Sequence, residues 1–213
     1  MLKSRCALLF LLFPCAAAAQ YPGDEYYPYA ERERRRELLT ASGLPYELAD
    51  DFACEEIYPD TLPVRAVPLY LSQLKSEAYP RALSPRDILL TADTVVVCQG
   101  RVLGKSENPE QAARMLRRLS GGVHEVVSGV TLRTAKHRRS FSALTRVWMR
   151  PLREEEIACY VDRFRPLDKA GAYGVQEWIG LAAVEKINGS FYNVMGLPIQ
   201  RVYTELERFI ETL

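Results

Sequence analysis

From Ile88 to Cys98 the chain reads Ile-Leu-Leu-Thr-Ala-Asp-Thr-Val-Val-Val-Cys, apolar and β-branched almost throughout. That pattern predicts a strand buried on both faces. One charge, Asp93, interrupts it. A carboxylate taken out of water needs a cation, a metal or a set of donors. At a strand end it can also simply accept backbone hydrogen bonds. Gln99-Gly100 is a turn, and Arg101-Val102-Leu103 runs back as a short hairpin strand towards Gly104-Lys105. The hairpin can bring Asp93 and Lys105 to one pocket. An acid for a metal and a lysine for an anion suggest a phosphate site.

The remaining periodicities fill in an α/β chain. Glu31–Ser42 reads as a helix with Leu38 and Leu39 inward and Gly43 ending it. Its first turns carry Arg34, Arg35 and Arg36. Such a run is usually solvated, but cations at a helix start oppose the macrodipole, so an anion for at least one of them is expected. Tyr46–Ala53 reads as a short strand. Pro68–Tyr79 reads as a helix burying Leu71, Leu74 and Ala78, with Lys75 beside that face. Asn108 caps the clearest helix, with Pro109 at its first position and Ala112, Met115, Leu116 and Leu119 on one stripe. Val123–Arg133 and Ser140–Met149 read as strands, and Arg153–Phe164 as a helix. Asp168–Gly180 has no period and reads as a working loop. Leu181–Ile187 and Phe191–Val194 read as a hairpin across Asn188-Gly189. Ile199–Leu213 closes the chain as an amphipathic helix with Val202, Leu206, Phe209, Ile210 and Leu213 inward.

Composition narrows the function. The 213 residues suffice for one large or two small domains, 48% are hydrophobic, and the net charge is +1, so neither nucleic acid nor an anionic membrane is indicated as a partner. The five cysteines are odd in number and irregularly spaced, against a disulfide framework or a zinc site. Two histidines without HExxH exclude a histidine-built metal centre. Gly104-Lys105-Ser106 imitates the end of a P-loop, but position 99 is Gln99 and the context is a hairpin, so a P-loop is rejected. Met1–Gln20 has Lys3 and Arg5, an apolar run and an alanine cluster, the pattern of a secretory signal. The competing readings are a buried first strand over Ala7–Phe13, or a shifted frame or mis-set start.

Five segments carry a resemblance. Thr91-Ala-Asp-Thr-Val-Val-Val97, Leu103-Gly-Lys105, Met115–Gly121 with His124-Glu-Val126, Asp168-Lys-Ala-Gly-Ala-Tyr-Gly-Val-Gln176 and Tyr192-Asn-Val-Met-Gly-Leu-Pro198 resemble, in order, the motifs of the Maf family of nucleoside triphosphate pyrophosphatases. The resemblance runs from about Arg34 to the C-terminus. It implies an elongated, two-lobed mixed α/β fold with a central cleft, like that of the inosine-triphosphate pyrophosphatases and commonly dimeric. It implies cytoplasmic hydrolysis of a nucleoside triphosphate to the monophosphate and pyrophosphate with a divalent cation, Mg²⁺ or Mn²⁺. By the same resemblance Asp93 is the proton acceptor, Glu56 with Asp93 holds the metal, and Lys75 and Lys105 face the phosphates. Arg34, Thr94 and Gln176 match the positions that separate the branches, and their combination looks like the dTTP and UTP branch. An amide such as Gln176 offers the donor and acceptor that suit the O4 and N3–H edge of uracil or thymine, though a loop-capping role is open to it as well.

The chain departs from the pattern before Arg34, where Ala30-Glu31-Arg32-Glu33 replaces a Ser-Pro-containing phosphate turn. Residues 1–33 are therefore expected to be an atypical segment, signal-like or out of frame, ahead of a pyrophosphatase domain at 34–213. Sequencing the transcript tests the frame hypothesis, and an intact in-frame leader with no nearby Ser-Pro-Arg codons would sink it. The alternatives are a catalytically impaired nucleotide-binding or cell-division protein and, from Met1–Gln20 alone, an exported binding protein.

Overall fold

The computed structural model describes residues 7–11, 31–49 and 52–213. Its elements in chain order are β1 (Ala7–Leu11), α1 (Glu31–Ala41), β2 (Glu47–Leu48), α2 (Val67–Ala78), β3 (Asp87–Cys98), β4 (Arg101–Leu103), α3 (Pro109–Leu119), β5 (Val123–Arg133), β6 (Arg138–Met149), α4 (Glu154–Phe164), α5 (Trp178–Ala182), β7 (Val184–Asn188), α6 (Phe191–Met195) and α7 (Ile199–Ile210). Among the described residues the strands form one mixed seven-stranded sheet, ordered β2-β1-β3-β5-β6-β7, with β4 paired to the far end of β3. The expected α/β fold with a mixed sheet is what the chain adopts.

The central strand is shared by two cores. Ile88, Leu90 and Ala92 pack with Leu38 and Leu39 of α1 and Val202, Leu206 and Phe209 of α7. Val96 and Cys98 pack instead with Ala112, Leu116 and Leu119 of α3 and Ile157 and Val161 of α4. Between these lobes the outer edge of β3 changes partner. Parallel β1 pairs up to Thr91, and antiparallel β4 begins at Val96. Among the described residues no strand pairs residues 92–95 on that edge. The opposite edge is continuous, with Asp93 opposite Gly129 of β5. A cleft therefore opens at the middle of the strand, where Asp93 stands.

The opposite sheet face is covered by α2, whose Val67 and Leu71 pack on Val95, Val97 and Val127. Its approach depends on Gly129, where an added Cβ would lie 2.3 Å from the backbone of Pro68 and Leu69. The well-marked helix α3 forms as its pattern predicts. The Asn108 side chain accepts the Gln111 N–H at 2.9 Å, and Pro109 occupies the first turn. Truncating Leu116, which is fully buried, to alanine would cost about 2–5 kcal/mol.

Several sequence expectations are corrected. The hairpin across Asn188-Gly189 is not formed. Residues 178–182 are helix α5, Val184–Asn188 is the edge strand β7, and Phe191–Met195 is a one-turn helix. Ser190 caps that helix, accepting the Asn193 N–H at 3.3 Å, and Gly196 ends it at φ +117°. An apolar run of this length has no period to distinguish strand from helix, and these cap residues decide. The working loop is in part structured, with short 3₁₀ turns at Pro166–Asp168 and Ala170–Ala172. In the Tyr46–Ala53 region the described strand is confined to Glu47–Leu48. Leu213 is exposed rather than inward, and Ala78 is exposed while Ser72, Lys75 and Ser76 are buried.

Of the signal-like segment, Ala7–Leu11 lies in the sheet, parallel to β3 with Ala7 opposite Asp87. The alanine cluster at 16–19 and the Ala30 position lie outside the described residues. No described helix is long and apolar enough to cross a membrane. Among the described cysteines Cys54, Cys98 and Cys159 are free thiols.

Candidate active site

The cleft has a volume of about 940 Å³, and its lining includes Arg34, Glu55, Glu56, Asp93, Thr94, Lys105, Asp168, Lys169 and Gln176. Six of the seven residues singled out from sequence thus reach one cavity directly. The seventh, Lys75, meets it through its partners. Its ammonium lies 2.6 Å from Asp93 Oδ1 and 3.0 Å from Glu56 Oε1. Asp93 and Lys75 are both buried, and Glu56 is partly open to the cleft.

The local fold explains this centre. On β3, Thr91, Asp93 and Val95 alternate onto the α2 side of the sheet. Thr91 donates to the Ser72 carbonyl at 2.7 Å, and Thr131 shares a hydrogen bond with Ser72 Oγ at 2.9 Å. These bonds fix the polar stripe of α2 over the strand, and Gly129 sets the distance. Lys75, one turn further along the helix, then reaches Asp93. The buried face of α2 is polar here because it covers the floor of a cleft rather than a hydrocarbon core.

Of Arg34, Arg35 and Arg36 in α1 the first two are buried, and they do different things. Arg35 is structural: its guanidinium donates to the Gly196 carbonyl at 2.9 Å, the Ala92 carbonyl at 3.3 Å and Thr94 Oγ1 at 3.4 Å. It thereby serves the strand edge that neither β1 nor β4 covers. Arg34 turns into the cleft and meets Asp168 Oδ2 at 3.4 Å. Arg36 is exposed. Thr94 spends its hydroxyl within the protein, donating to Gly196 O at 3.1 Å and sharing a hydrogen bond with Ser128 at 2.8 Å.

The facing wall is drawn from residues 168–176. Lys169, buried, lies 3.0 Å from Asp168 Oδ1 and 3.1 Å from Glu177 Oε1. Tyr173 is also buried, and its hydroxyl meets His124 Nε2 at 2.7 Å. Burial pushes the His124 imidazolium pKa down to about 4 and the Tyr173 phenol upward. Gln176 lines the cleft and makes no amide hydrogen bond among the described residues.

Sequence reasoning missed Lys169, Asp168, Glu177 and Gly129. Asp168 and Lys169 open the aperiodic 168–176 segment, and an acid–lysine pair there is the signal that points to them. Gly129 had no local signal, since its role is visible only against α2.

The donor chemistry fits a hard divalent cation. Two carboxylate oxygens, from Asp93 and Glu56, already converge on one positive charge. No group of three histidine, cysteine, aspartate or glutamate side chains is poised for a metal among the described residues. An ion that binds through one or two carboxylates and takes other oxygens from phosphate suits such a pair.

Together, the split central strand, the carboxylate–lysine centre on the cleft floor and the cations Arg34, Lys105 and Lys169 among the lining acids define an α/β protein with a charged central cleft. A family model described as Maf-like protein matches residues 31–209. The chain belongs to the Maf-like protein family. It is 48% identical over 175 residues to a dTTP/UTP pyrophosphatase of Phocaeicola vulgatus, covering 82% of this chain and 91% of that protein. It is 49% identical over 175 residues to that of Bacteroides thetaiotaomicron, with the same coverage, and 46% identical over 185 residues to that of Porphyromonas gingivalis, covering 86% and 93%.

Proposed function

We propose that this protein hydrolyses dTTP and UTP, and modified pyrimidine nucleotides within the same reach, to the monophosphate and pyrophosphate. The observation that carries this reading is the Asp93–Lys75–Glu56 centre on the floor of the cleft. The names of the relatives support the substrate class. The impaired-enzyme alternative is not favoured, since every acid, lysine and amide it would need to lack is present.

Opening the α–β phosphoanhydride places charge on the leaving pyrophosphate and the non-bridging oxygens. Lys105, Arg34 and Lys169 line the space where that charge develops and can offset it without reorganising. Asp93 accepts a proton from the attacking water, an effect of typically about 10²–10⁴-fold. Lys75, fixed at 2.6 Å, orients the accepting carboxylate. Glu56 and Asp93 would hold the divalent cation, Mg²⁺ or Mn²⁺. When bound, such an ion supplies Lewis-acid neutralisation of phosphate oxygens. Gln176 reads the base edge with its amide. Thr94 acts on the same selection indirectly, by holding Gly196 in the cleft wall.

The same reading makes residues 34–213 the pyrophosphatase domain and residues 1–33 an atypical leader, from which Ala7–Leu11 nevertheless supplies a sheet strand. It places the protein in the cytoplasm, with a nucleotide rather than nucleic acid or membrane as partner, and with the homodimer as the assembly taken from the family resemblance. The test is pyrophosphate release by the purified protein with Mg²⁺ and each common NTP and dNTP. Release from dTTP and UTP above all others is expected. Release from none of them, or preferential release from purine nucleotides, would overturn the reading.

A further inference from the structure

We propose that Glu177 is a positioning residue that holds the base-reading amide of Gln176 and joins it to the cations facing the phosphates; this rests on the functional reading above. Glu177 is not in the cleft wall, and its side chain is only 15% exposed. Its two carboxylate oxygens do separate things. Oε1 lies 3.1 Å from the Lys169 ammonium, and Oε2 accepts the Tyr160 hydroxyl proton. The Tyr160 oxygen in turn accepts the Gly174 N–H at 3.0 Å. Tyr160 is itself fixed, buried in α4 and stacked on Phe164 at 4.8 Å.

The backbone between these anchors is a tight turn. The Glu177 N–H donates to the Gly174 carbonyl at 3.1 Å, leaving Val175 and Gln176 at the tip. The Val175 side chain is buried in the α3–α4 core. Gln176 is thus the turn residue left to face the cleft. Two glycines permit this packing. A Cβ on Gly174 would lie 2.7 Å from the Glu177 carboxyl carbon, and one on Gly180 would lie 1.6 Å from the Val175 carbonyl oxygen. The turn is therefore clamped by the Tyr160 hydroxyl, the Glu177 carboxylate and the first turn of α5.

The clamp continues into the charged wall. Lys169 also meets Asp168, and Asp168 meets Arg34. One relay of alternating charge thus runs from the base-reading turn to a phosphate-facing arginine. Loosening Glu177 frees the turn and removes one of the two carboxylates that place Lys169.

The experiment compares wild type with Glu177→Ala, Glu177→Gln and Tyr160→Phe. It measures kcat and KM for dTTP, UTP, dCTP and dGTP, and amide exchange over residues 174–176. Tyr160→Phe deletes one hydroxyl from a stacked ring, so it keeps the test informative where Glu177→Ala does not fold. The expected result for Tyr160→Phe is a KM for dTTP raised about fivefold with kcat little changed, the loss typical of one hydrogen bond. Glu177→Ala is expected to lower the dTTP preference over dGTP about tenfold. Glu177→Gln, which still accepts from Tyr160, should recover part of that preference. Exchange at 174–176 should quicken in Tyr160→Phe and Glu177→Ala. Unchanged exchange, or undiminished selectivity in Glu177→Ala, overturns the proposal. Wild-type protein without pyrimidine preference would sink the functional reading instead, and the exchange measurement would still decide whether the clamp exists.

Discussion

The two walls of the cleft are both charged, but they are charged differently. On the α2 wall one ammonium, Lys75, sits between two carboxylates, Asp93 and Glu56. On the opposite wall the signs alternate from Arg34 through Asp168 to Lys169, which Glu177 holds from behind. The first arrangement leaves net negative charge on the cleft floor, which suits a cation and a proton acceptor. The second leaves a row of cations held by acids behind and beside them, which suits positioning a polyanion, and it ends in the turn that presents Gln176. The proposed function assigns the chemistry to the first wall and recognition to the second.

Asp93→Asn breaks the first wall while keeping its shape, and kcat for dTTP is expected to fall about 10²–10⁴-fold in a pyrophosphate-release assay. Gly129→Ala attacks the same wall from behind. The new methyl meets the α2 backbone at 2.3 Å, so the helix must shift and carry Lys75 with it. A loss of about 1–3 kcal/mol in chemical denaturation and a drop in kcat larger than in KM are expected, because overpacking strains a close helix–sheet contact. The second wall is tested by Gln176→Ala. Its KM for dTTP should rise about tenfold while kcat changes little, since the role proposed for the Gln176 amide is to meet the base and not the reacting phosphate.

The gentlest probe lies behind the second wall, at His124. Its folded-state pKa is about 4 against an ordinary value of 6.5 because burial disfavours the imidazolium. Between those values the unfolded chain binds more protons than the folded one. The contribution of His124 is therefore complete above pH 6.5 and declines as the pH falls towards 4, by up to about 3 kcal/mol in total. Urea titrations across that window should show the slope, and His124→Gln should flatten it.

Asp93 was legible in the sequence because a charge inside an apolar strand demands a partner. The partner was not, since helical periodicity placed Lys75 only beside the buried face of α2. The structure buries it because Ser72 and Ser76 belong to that face as well, and a polar buried stripe does not register as amphipathic. The helix α3 was readable because Asn108, Pro109 and the Ala112–Leu119 stripe all agree. The segment after Gly180 was misread because short apolar runs have no decisive period, and the caps at Ser190 and Gly196 outweigh the turn signal at Asn188-Gly189. Gly129 carries no local sign of its role, for its neighbour is about sixty residues away in the chain.

The measurement that goes most directly to the division of labour is a parallel determination of kcat and KM for dTTP in Asp93→Asn and Gln176→Ala. The account predicts that the first loses kcat with KM nearly unchanged and the second raises KM with kcat nearly unchanged. Wild-type turnover in Asp93→Asn, or a collapse of kcat in Gln176→Ala as deep as that in Asp93→Asn, would contradict it.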